Sequence, residues 1–497
     1  MSWNRKKALY VCGIMIAAAA GAVYFARSNV RHDSEVFSVR AIVTHAAPSQ
    51  ITPPPQPVQS IANGFVAAAN KLPLVTIPAI APPPLEDERE ELESHAGVQA
   101  SDDVRIVSGF ECSTPIEVQK LSASHFKVAI NGRDAHDWFI FRVACAAGKT
   151  IRIDITGGDI EGSWTSLNPV YSYCSDLDDP ATYATEKAGD VKASIAWNGP
   201  VLSSTQGQGW HFIENCWMDD DQVFSLVQHF DNDTAYVAMR VPYSPGYNEQ
   251  FMKQLAGNPQ ATVIEVGRSR ADRPLQLVKI SSGDEETERQ KPCVLIYGGE
   301  HADEHDAMWA AQGAIQYLLG NTVEAKALRD RVTILVIPVL DPDTSVIGIH
   351  QGIITSFLSA NETPESIAYA NWFQSWIDAG KRLDIIFDLH NVQSDEAPHL
   401  SCALIEGVGI RGMASAALHN IVTQNMKAAG FLVSTQPWGR GWSPDRLGGW
   451  LSRRYGPITL AYELNSQARA KHLSVEELKQ MGYILAKSVS CFLGHAS

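Results

Sequence analysis

The part of the chain from Asn248 onward restricts the fold most strongly, because short apolar runs alternate there with longer helical patterns. Thr363, which is followed by a proline, starts one such helix, and Gly380 follows its end. Strands that alternate with helices predict an α/β domain over residues 246–497, with a mainly parallel central sheet. The apolar runs that predict its strands are CVLIYGG, VTILVIPVL, LDIIFDLH, FLVST and ITLAYEL.

Residues 101–245 have a different pattern, in which apolar and polar residues alternate over short runs. The runs DWFIFRVAC and KTIRIDITG, with a glycine between them, predict a β-hairpin, and AYVAMRVPY is a further run of this kind. Alternation with a period of two is typical of strands that bury one face. We therefore predict an antiparallel β-sandwich that precedes the α/β domain.

The first 100 residues are predicted to lie outside the folded core. Basic residues precede an uncharged apolar stretch from Ala8 to Ala26, so residues 1–26 are interpreted as an uncleaved membrane anchor or, alternatively, a cleaved signal peptide. Residues 27–100 are rich in proline and predict an extended linker. Because the positive charges precede the apolar stretch, we expect the folded part outside the cytoplasm, either anchored in the periplasm or extracellular space, or secreted.

The net charge of −15 limits the classes of partner that the chain can have. No run of Lys or Arg lies beyond the first few residues. A basic stripe or patch is the electrostatic footprint of proteins that bind nucleic acids. We therefore expect no nucleic-acid partner.

Acidic residues and histidines crowd together where the first apolar run of the α/β domain ends. The sequence YGGEHADEHDAMW begins at Tyr297 and follows that run directly. The run FDLHN ends in a similar way with His390, and the run ITLAYEL contains Glu463. Open α/β sheets bind ligands at the carboxyl ends of their parallel strands. These strand ends are therefore expected to converge on one site.

Two sets of metal ligands are compatible with this sequence. In the first, His301, Glu304 and His305 form an H-x-x-E-H motif, which requires both histidines on one helix. In the second, His301 and Glu304 bind the metal together with His390. We favour the second set because His301 follows two glycines at a strand end, where a helix has not yet begun. Two histidines, one carboxylate and an open position are typical of a catalytic site for one Zn²⁺ ion.

Glu463 is predicted to be the catalytic base. It lies in the otherwise apolar run LAYEL, where a carboxylate without a partner is costly to bury. A catalytic role accounts for its position. In that role it takes a proton from a zinc-bound water molecule and later passes it to the leaving amine.

With these residues the chain resembles the zinc metallocarboxypeptidases of the carboxypeptidase A superfamily, and especially the branch of the cytosolic carboxypeptidases. HDWFIFRVACAAGKTIRIDI and AYVAMRVPYSPGY are similar to the start and end of that branch's N-terminal β-sandwich. YGGEHADE, VIPVLDPD, FDLHN and LAYEL then follow in the order of the family. The resemblance implies a β-sandwich beside an α/β/α carboxypeptidase-type domain, with zinc bound by His301, Glu304 and His390, and with Glu463 as the base.

The region expected to bind the substrate departs from this family. Its members have an Asn-Pro-Asp-Gly sequence, followed by arginines that polarise the scissile carbonyl and bind the terminal carboxylate of the substrate. Here Asp341 replaces the Asn, Thr344 replaces the Gly, and Gln351 lies where the first Arg is expected. No Lys or Arg lies between Arg331 and Lys381. A bidentate arginine is the natural partner of a carboxylate, and this segment does not contain one.

The segment WGRGWSPDRLGGWLSRRYG, which precedes the last strand, contains other arginines that could supply the missing charge. Tyr455, near the end of this segment, could be the catalytic-loop tyrosine of the family. A buried structural role for Tyr455 is equally compatible with the sequence. The substrate-binding candidates are accordingly Gln351, Arg440, Arg446 and Tyr455.

The predicted function is that of a zinc-dependent metallocarboxypeptidase, which hydrolyses a bond at or near the C-terminus of a peptide or peptide-like substrate. One alternative is a zinc amidase or endopeptidase whose substrate, such as a cell-wall peptide, has no clamped α-carboxylate. Another is a degenerate module that binds peptides or glycans without cleaving them. The missing arginines favour the alternatives, whereas the ligand set and Glu463 favour hydrolysis.

Overall fold

The structure of the chain, a computed structural model, divides into two compact units, Met1–Ser94 and His95–Ser497. The residues that it describes are 14–16, 23–25, 103–130, 138–157, 167–174, 177, 209–220, 222–348, 357, 362–392, 397–406, 409–434, 446–468 and 470–495.

The described residues of the first unit form two short antiparallel strands, β1 (Ile14–Ile16) and β2 (Val23–Phe25). Both lie within the segment predicted to be a membrane anchor; the rest of that segment and the predicted linker lie outside the described residues. A single anchor of this length is a helix, because a helix satisfies its own backbone hydrogen bonds. The two strands therefore disagree with that prediction. Across the part of the chain that is described, no helix is both long and apolar enough to cross a membrane.

The second unit begins with two five-stranded sheets that share one hydrophobic core. Their orders are β10-β11-β7-β5-β4 and β3-β6-β12-β8-β9, and neighbouring strands are antiparallel except β5 and β7. The strands are β3 (Arg105–Val107), β4 (Ile116–Ser122), β5 (His125–Ile130), β6 (Ile140–Ala144), β7 (Lys149–Gly157), β8 (Val170–Ser172), β9 (Trp210–Phe212), β10 (Cys216–Met218), β11 (Phe224–Phe230) and β12 (Thr234–Ala238).

The predicted hairpin of β6 and β7 is wrong, because the two strands lie in different sheets. Cys145 and Gly148, in the turn between them, have positive φ angles of 58° and 67°. This turn carries the chain from one sheet to the other. Both strands still bury an apolar face in the common core, as Phe141 and Ile153 do. Alternation thus predicted each strand but could not predict its partner.

A seven-stranded mixed sheet follows, in the order β13-β14-β16-β15-β17-β19-β18. The four strands β16, β15, β17 and β19 are parallel, and the outer strands are antiparallel to their neighbours. The strands are β13 (Ala261–Arg268), β14 (Pro274–Ile280), β15 (Cys293–Tyr297), β16 (Thr333–Ile337), β17 (Ile385–Asn391), β18 (Leu400–Glu406) and β19 (Ile458–Leu464).

Two hydrophobic clusters cover this sheet, one containing α3 and α9 and the other α6 and α8. The predicted α/β class with a preceding antiparallel sandwich is therefore confirmed. The described residues of the run FLVST, 431–434, do not form a strand; Val433 makes an isolated bridge to Leu400. The helices are α1 (Pro245–Leu255), α2 (Glu285–Gln290), α3 (His305–Leu318), α4 (Val323–Arg331), α5 (Pro342–Ile347), α6 (Pro364–Asp378), α7 (Gly409–Ala428), α8 (Leu447–Tyr455) and α9 (Val475–His495).

The register of the parallel strands decides which side chains meet at their carboxyl ends. Tyr297, the last residue of β15, is the register partner of Asp388 on β17. His390, two residues further along β17, is the register partner of Glu463 on β19. Residues two apart on a strand point to the same face, so these side chains line one region of the sheet edge.

Two glycines allow α3 and α9 to pack closely beside that edge. A Cβ atom at Gly482 of α9 would lie 1.7 Å from the carbonyl oxygen of Ala310, and one at Gly313 of α3 would lie 2.1 Å from the carbonyl oxygen of Lys479. Each helix therefore touches the backbone of the other. The position of α3 matters for function because its N-terminus adjoins the acidic residues and histidines that follow β15.

The variant Gly482→Ala is expected to destabilise the protein by about 1–3 kcal/mol, since the added methyl group forces the two helices apart. Gly494→Ala, in the same helix, is the matched control because nothing lies within 4 Å of its added Cβ. Higher helix propensity should make that control neutral or more stable by up to ~1 kcal/mol. Chemical denaturation measures both changes, and equal free energies of unfolding for the two variants would contradict the close packing of α3 and α9.

Candidate metal centre

His301 and Glu304 lie in the turn between β15 and α3. The chain leaves β15 through two glycines, of which Gly299 has a φ of 66°, a conformation that other residues adopt at a cost. A Cβ atom there would lie 3.0 Å from the Cα atom of Val339. α3 begins only at His305, with Glu304 as its N-cap residue. His301 thus lies outside the helix, which differs from the arrangement that an H-x-x-E-H helix requires.

The structure brings the three favoured ligands together. His301 Nδ1 lies 2.7 Å from Glu304 Oε1, and His390 Nδ1 lies 2.7 Å from Glu304 Oε2. The three ligand atoms lie within 4.8 Å of one another, and all three residues are buried. Two imidazole nitrogens and one carboxylate are a donor set that suits zinc.

The electrostatics of this pocket favour a positive charge beside Glu304. Burial alone would raise the pKa of Glu304, but His301 and His390 lower it well below its ordinary value. Burial alone would lower the pKa of His390, but the carboxylates of Glu304 and Asp388 raise it well above its ordinary value. A proton can supply this positive charge, and so can a metal ion.

Glu463 lies next to the three residues, as the register partner of His390. Only 7% of its surface is exposed. Burial raises the pKa of Glu463 to about 7, His390 opposes this rise, and Glu304 adds to it. A carboxyl group with a pKa near neutrality can both accept and return a proton at neutral pH.

Two further carboxylates, those of Glu300 and Asp388, lie on the other side of His390. Its Nε2 atom is 2.8 Å from Asp388 Oδ1 and 3.9 Å from Glu300 Oε2. Both acidic residues are fully buried, and neither oxygen of Glu300 has a hydrogen-bond partner among the described residues. Burial, with the charge of Asp388, raises the pKa of Glu300 to about 8. The region therefore contains more buried acid than its two histidines balance.

A buried ion pair joins the first turn of α3 to the strands behind the site. Arg240 Nη1 donates to Asp306 Oδ2 over 2.7 Å, and both side chains are 1% exposed. The backbone N–H of Ser466, just after β19, donates to the same oxygen over 2.6 Å. Arg240 Nη2 also donates to the carbonyl of Val392, just after β17. The N-terminus of α3 is thereby tied to the ends of both strands.

His305, a member of the alternative ligand set, has a different environment. Its Nδ1 atom accepts a hydrogen bond of 2.9 Å from the backbone N–H of Tyr243. Its ring packs against that of Trp138, with centroids 4.1 Å apart. Burial lowers the pKa of His305 to about 4, so the ring is neutral near pH 7. These contacts are with residues at the sandwich end of the unit and not with His301 or Glu304.

The predicted substrate-binding residues are only partly described. Gln351 and Arg440 lie outside the described residues. Arg446 is the N-cap residue of α8, and its positive charge lowers the pKa values of both Glu300 and Glu463. Among its described contacts, the hydroxyl of Tyr455 donates to Gln374 of α6 and accepts from its neighbour Arg454. The charge of Arg446 thus acts on both carboxyl groups, whereas Tyr455 is turned towards α6.

Sequence reasoning missed Asp388, although the signal for it was present. Asp388 precedes His390 by two residues on one strand, so both side chains point to the same face. It missed the pairing of Arg240 with Asp306 for a different reason. That pair joins segments that are 66 residues apart, and no local pattern connects them.

Comparisons with known proteins agree with this geometry. Residues 248–346 match the family model Peptidase_M14, zinc carboxypeptidase. The chain is similar to cytosolic carboxypeptidase 1 of Mus musculus, with 21% identity over 77% of this chain and 35% of that protein. It is also similar to cytosolic carboxypeptidase 2 of Danio rerio, with 26% identity over 29% of this chain and 22% of that protein. The chain thus spans well under half the length of these relatives.

Solved structures show the same fold. A metallo-carboxypeptidase from Burkholderia cenocepacia superimposes with a TM-score of 0.63 at 19% identity, covering 79% of this chain and all 100% of that one. A protein from Shewanella denitrificans described as a carboxypeptidase A superimposes with a TM-score of 0.61 at 19% identity, over 78% of this chain and 98% of that one. At sequence identities this low, the structural similarity establishes the fold alone.

The predicted location outside the cytoplasm is wrong. Relatives that match the chain are named cytosolic carboxypeptidases, and nothing in the comparisons supports an association with a membrane. The prediction relied on the apolar segment Ala8–Ala26, whose described parts are the strands β1 and β2. Apolar character over that length is shared by membrane helices and other segments, so it was a weak guide.

The resemblance that the strand-end motifs predicted is therefore confirmed by a family model, by named relatives and by fold. Residues 248–346 match the family model of zinc carboxypeptidases, and the chain is similar to cytosolic carboxypeptidases in sequence and to metallocarboxypeptidases in fold.

Proposed function

We propose that the chain is a zinc-dependent metallocarboxypeptidase that hydrolyses a peptide bond at or near the C-terminus of a peptide substrate. One observation supports this most strongly: the Nδ1 atoms of His301 and His390 each lie 2.7 Å from an oxygen of Glu304, with Glu463 beside them. Three ligands from two strand ends and a neighbouring carboxylate make up the machinery of a hydrolytic zinc site.

In this proposal His301, Glu304 and His390 hold a single zinc ion. Bound there, zinc supplies a Lewis acid that polarises the scissile carbonyl and makes water more acidic. The turn after β15 fixes His301 and Glu304, and β17 fixes His390. The buried pair of Arg240 and Asp306 holds the start of α3, so the ligands need little rearrangement.

Glu463 is proposed as the general base. It takes a proton from the attacking water and then gives that proton to the leaving amine. Because burial raises its pKa to about 7, the energy cost of each transfer is small near neutral pH. Its position opposite His390 places the proton acceptor beside the proposed zinc ligands.

Arg446 is proposed to bind the terminal carboxylate of the substrate. The segment that carries the clamp in the family has no Lys or Arg in this chain. Arg446 stands at the start of α8, where its charge acts on Glu300 and Glu463 and would also attract an anionic group of the substrate. A guanidinium can hold a carboxylate through two hydrogen bonds. Gln351 and Arg440 remain candidates for further contacts with the substrate.

Removal of metal should destabilise the protein, and its return should stabilise it. At a free zinc concentration 100 times the dissociation constant, binding adds about 2.7 kcal/mol, which raises the Tm by several degrees. Thermal unfolding after dialysis against a chelator, with and without added zinc, measures this shift. The variant His301→Ala should lose it. His229→Ala, an exposed histidine of the sandwich, should keep it. An unchanged shift in His301→Ala would exclude His301 as a ligand.

The rate of hydrolysis should depend on pH through Glu463. The base must be ionised, so kcat/KM for a peptide with a free C-terminus should fall as the pH drops below about 7. A cation bound beside Glu463 would shift this decrease of kcat/KM towards lower pH. The variant Glu463→Gln should lower kcat by about 10²- to 10⁴-fold. It should no longer show the decrease of kcat/KM at low pH, while it still binds zinc.

The same variant provides the test of the proposed base. If Glu463→Gln hydrolysed the peptide within a few-fold of the wild-type rate, and with the same decrease at low pH, the base would be another residue. An inert wild-type protein that binds zinc would instead favour the degenerate binding module.

The variant Arg446→Ala should reduce the preference for peptides with a free C-terminus. Loss of a charge-assisted hydrogen bond costs about 1.5–3 kcal/mol, so kcat/KM for free peptides should fall by roughly 10- to 150-fold. Amidated peptides should be cleaved as slowly as before. Arg453→Ala, an exposed arginine of the same helix, is the matched control. If wild-type protein cleaved amidated and free peptides equally, the amidase or endopeptidase alternative would replace the proposed clamp.

A further inference from the structure

The environment of His390 contains a second set of contacts, which the proposed zinc site does not use. One ring nitrogen, Nδ1, faces Glu304. The other, Nε2, lies 2.8 Å from Asp388 Oδ1, and the competing carboxylate of Glu300 is 3.9 Å away. Asp388 and His390 are neighbours on one face of β17. A fully buried carboxylate thus lies 2.8 Å from Nε2.

Asp388 itself lies against Tyr297, its register partner on β15. Tyr297 is fully buried, and its hydroxyl oxygen and Asp388 Oδ2 lie close enough together that a Cβ atom at Gly448 would be 2.7 Å from both. The same hydroxyl accepts a hydrogen bond of 2.9 Å from the backbone N–H of Gly448, in the first turn of α8. A hydroxyl that accepts from an N–H has its own hydrogen left to donate to a carboxylate.

Gly448 fits this arrangement because it has no side chain. A Cβ atom at that position would lie 2.7 Å from both Asp388 Oδ2 and the Tyr297 hydroxyl oxygen. Real Cβ atoms do not approach other atoms so closely. The start of α8 therefore closes directly over the contact between the tyrosine and the aspartate.

We infer that Asp388 is a positioning residue for the metal ligand His390, and that Tyr297 and the backbone of Gly448 hold Asp388 in place. This inference rests on the zinc site proposed above. Asp388 Oδ1, 2.8 Å from Nε2, would accept the hydrogen of Nε2 and so fix the ring tautomer whose Nδ1 lone pair points towards Glu304 and the metal. Carboxylates that accept from the second nitrogen of a ligating histidine orient the ring and make it more basic.

The arrangement also links the proposed substrate clamp to the metal ligand. Arg446 and Gly448 belong to the same first turn of α8. A movement of that turn would change the hydrogen bond to Tyr297 and, through Asp388, the orientation of His390. Tyr297 and Asp388, register partners on neighbouring strands, therefore lie between the start of α8 and the metal ligand.

The test is the zinc affinity of the full-length protein and of two variants, measured by competition with a chromophoric chelator. Asp388→Asn should weaken zinc binding by about 10- to 100-fold. Tyr297→Phe, which leaves Asp388 in place without its hydroxyl partner, should weaken it by about 5-fold. Absorption spectra of the Co²⁺-loaded proteins should change in both variants, because the ligand field reports the orientation of the histidine.

Two control variants separate positioning from a general loss of stability. Asp154→Asn removes a buried carboxylate that pairs over 2.7 Å with a non-ligating histidine, His125, in the sandwich. Tyr369→Phe removes a buried hydroxyl that has no hydrogen-bond partner among the described residues. Both controls should bind zinc with the wild-type dissociation constant.

The inference is overturned if Asp388→Asn binds zinc with wild-type affinity and an unchanged Co²⁺ spectrum. If Asp388→Asn does not fold, Tyr297→Phe decides, and equal zinc affinities for Tyr297→Phe and Tyr369→Phe would overturn it. Failure of the underlying zinc site is recognised separately, since the wild-type protein would then bind no zinc.

Discussion

The burial of negative charge at the ends of parallel strands is the constraint on which the rest of this structure depends. Glu300, Glu304, Asp388 and Glu463 are all buried within a few residues of one sheet edge. Isolated carboxylates are too costly to bury, so such a cluster persists only where positive charge offsets it. Arg446 supplies part of that charge, and either protons on the histidines or, in their place, a divalent metal ion would supply more. Burial raises the pKa values of Glu300 and Glu463 to about 8 and about 7, so the protonated forms of both groups are favoured.

The surrounding fold holds these charges in fixed positions. The register of β15, β17 and β19 sets Tyr297, His390 and Glu463 at adjacent strand ends, and the turn after β15 adds His301 and Glu304. The buried pair of Arg240 and Asp306 ties the start of α3 to the strands. Close packing of α3 on α9 supports that helix from the other side. Rigid elements of this kind keep a charged site organised in advance of binding, which is the main requirement for electrostatic catalysis.

The sequence predicted the fold class and the residues that meet at the strand ends, because strand periodicity and strand-end positions are local properties. Asp388 could have been added by the same argument, since it stands two residues before His390 on one strand. The pairing of strands could not be predicted in this way. β6 and β7 are consecutive in the chain, yet they lie in different sheets because of the turn at Cys145 and Gly148. The pairing of Arg240 with Asp306 and the approach of α8 to Asp388 depend on the assembled fold, so no stretch of sequence contains them. The predicted location outside the cytoplasm was wrong because apolar composition over a short segment does not specify a membrane helix.

X-ray absorption spectroscopy of the purified full-length protein would test the central claim most directly, because it reports the metal and its ligand atoms together. The account predicts one zinc ion per chain, with nitrogen and oxygen neighbours at about 2.0–2.2 Å and the multiple scattering of two imidazole rings. In His390→Ala the spectrum should lose one imidazole. A protein purified without zinc that cannot be loaded, or a spectrum dominated by sulfur at about 2.3 Å, would contradict the site of His301, Glu304 and His390.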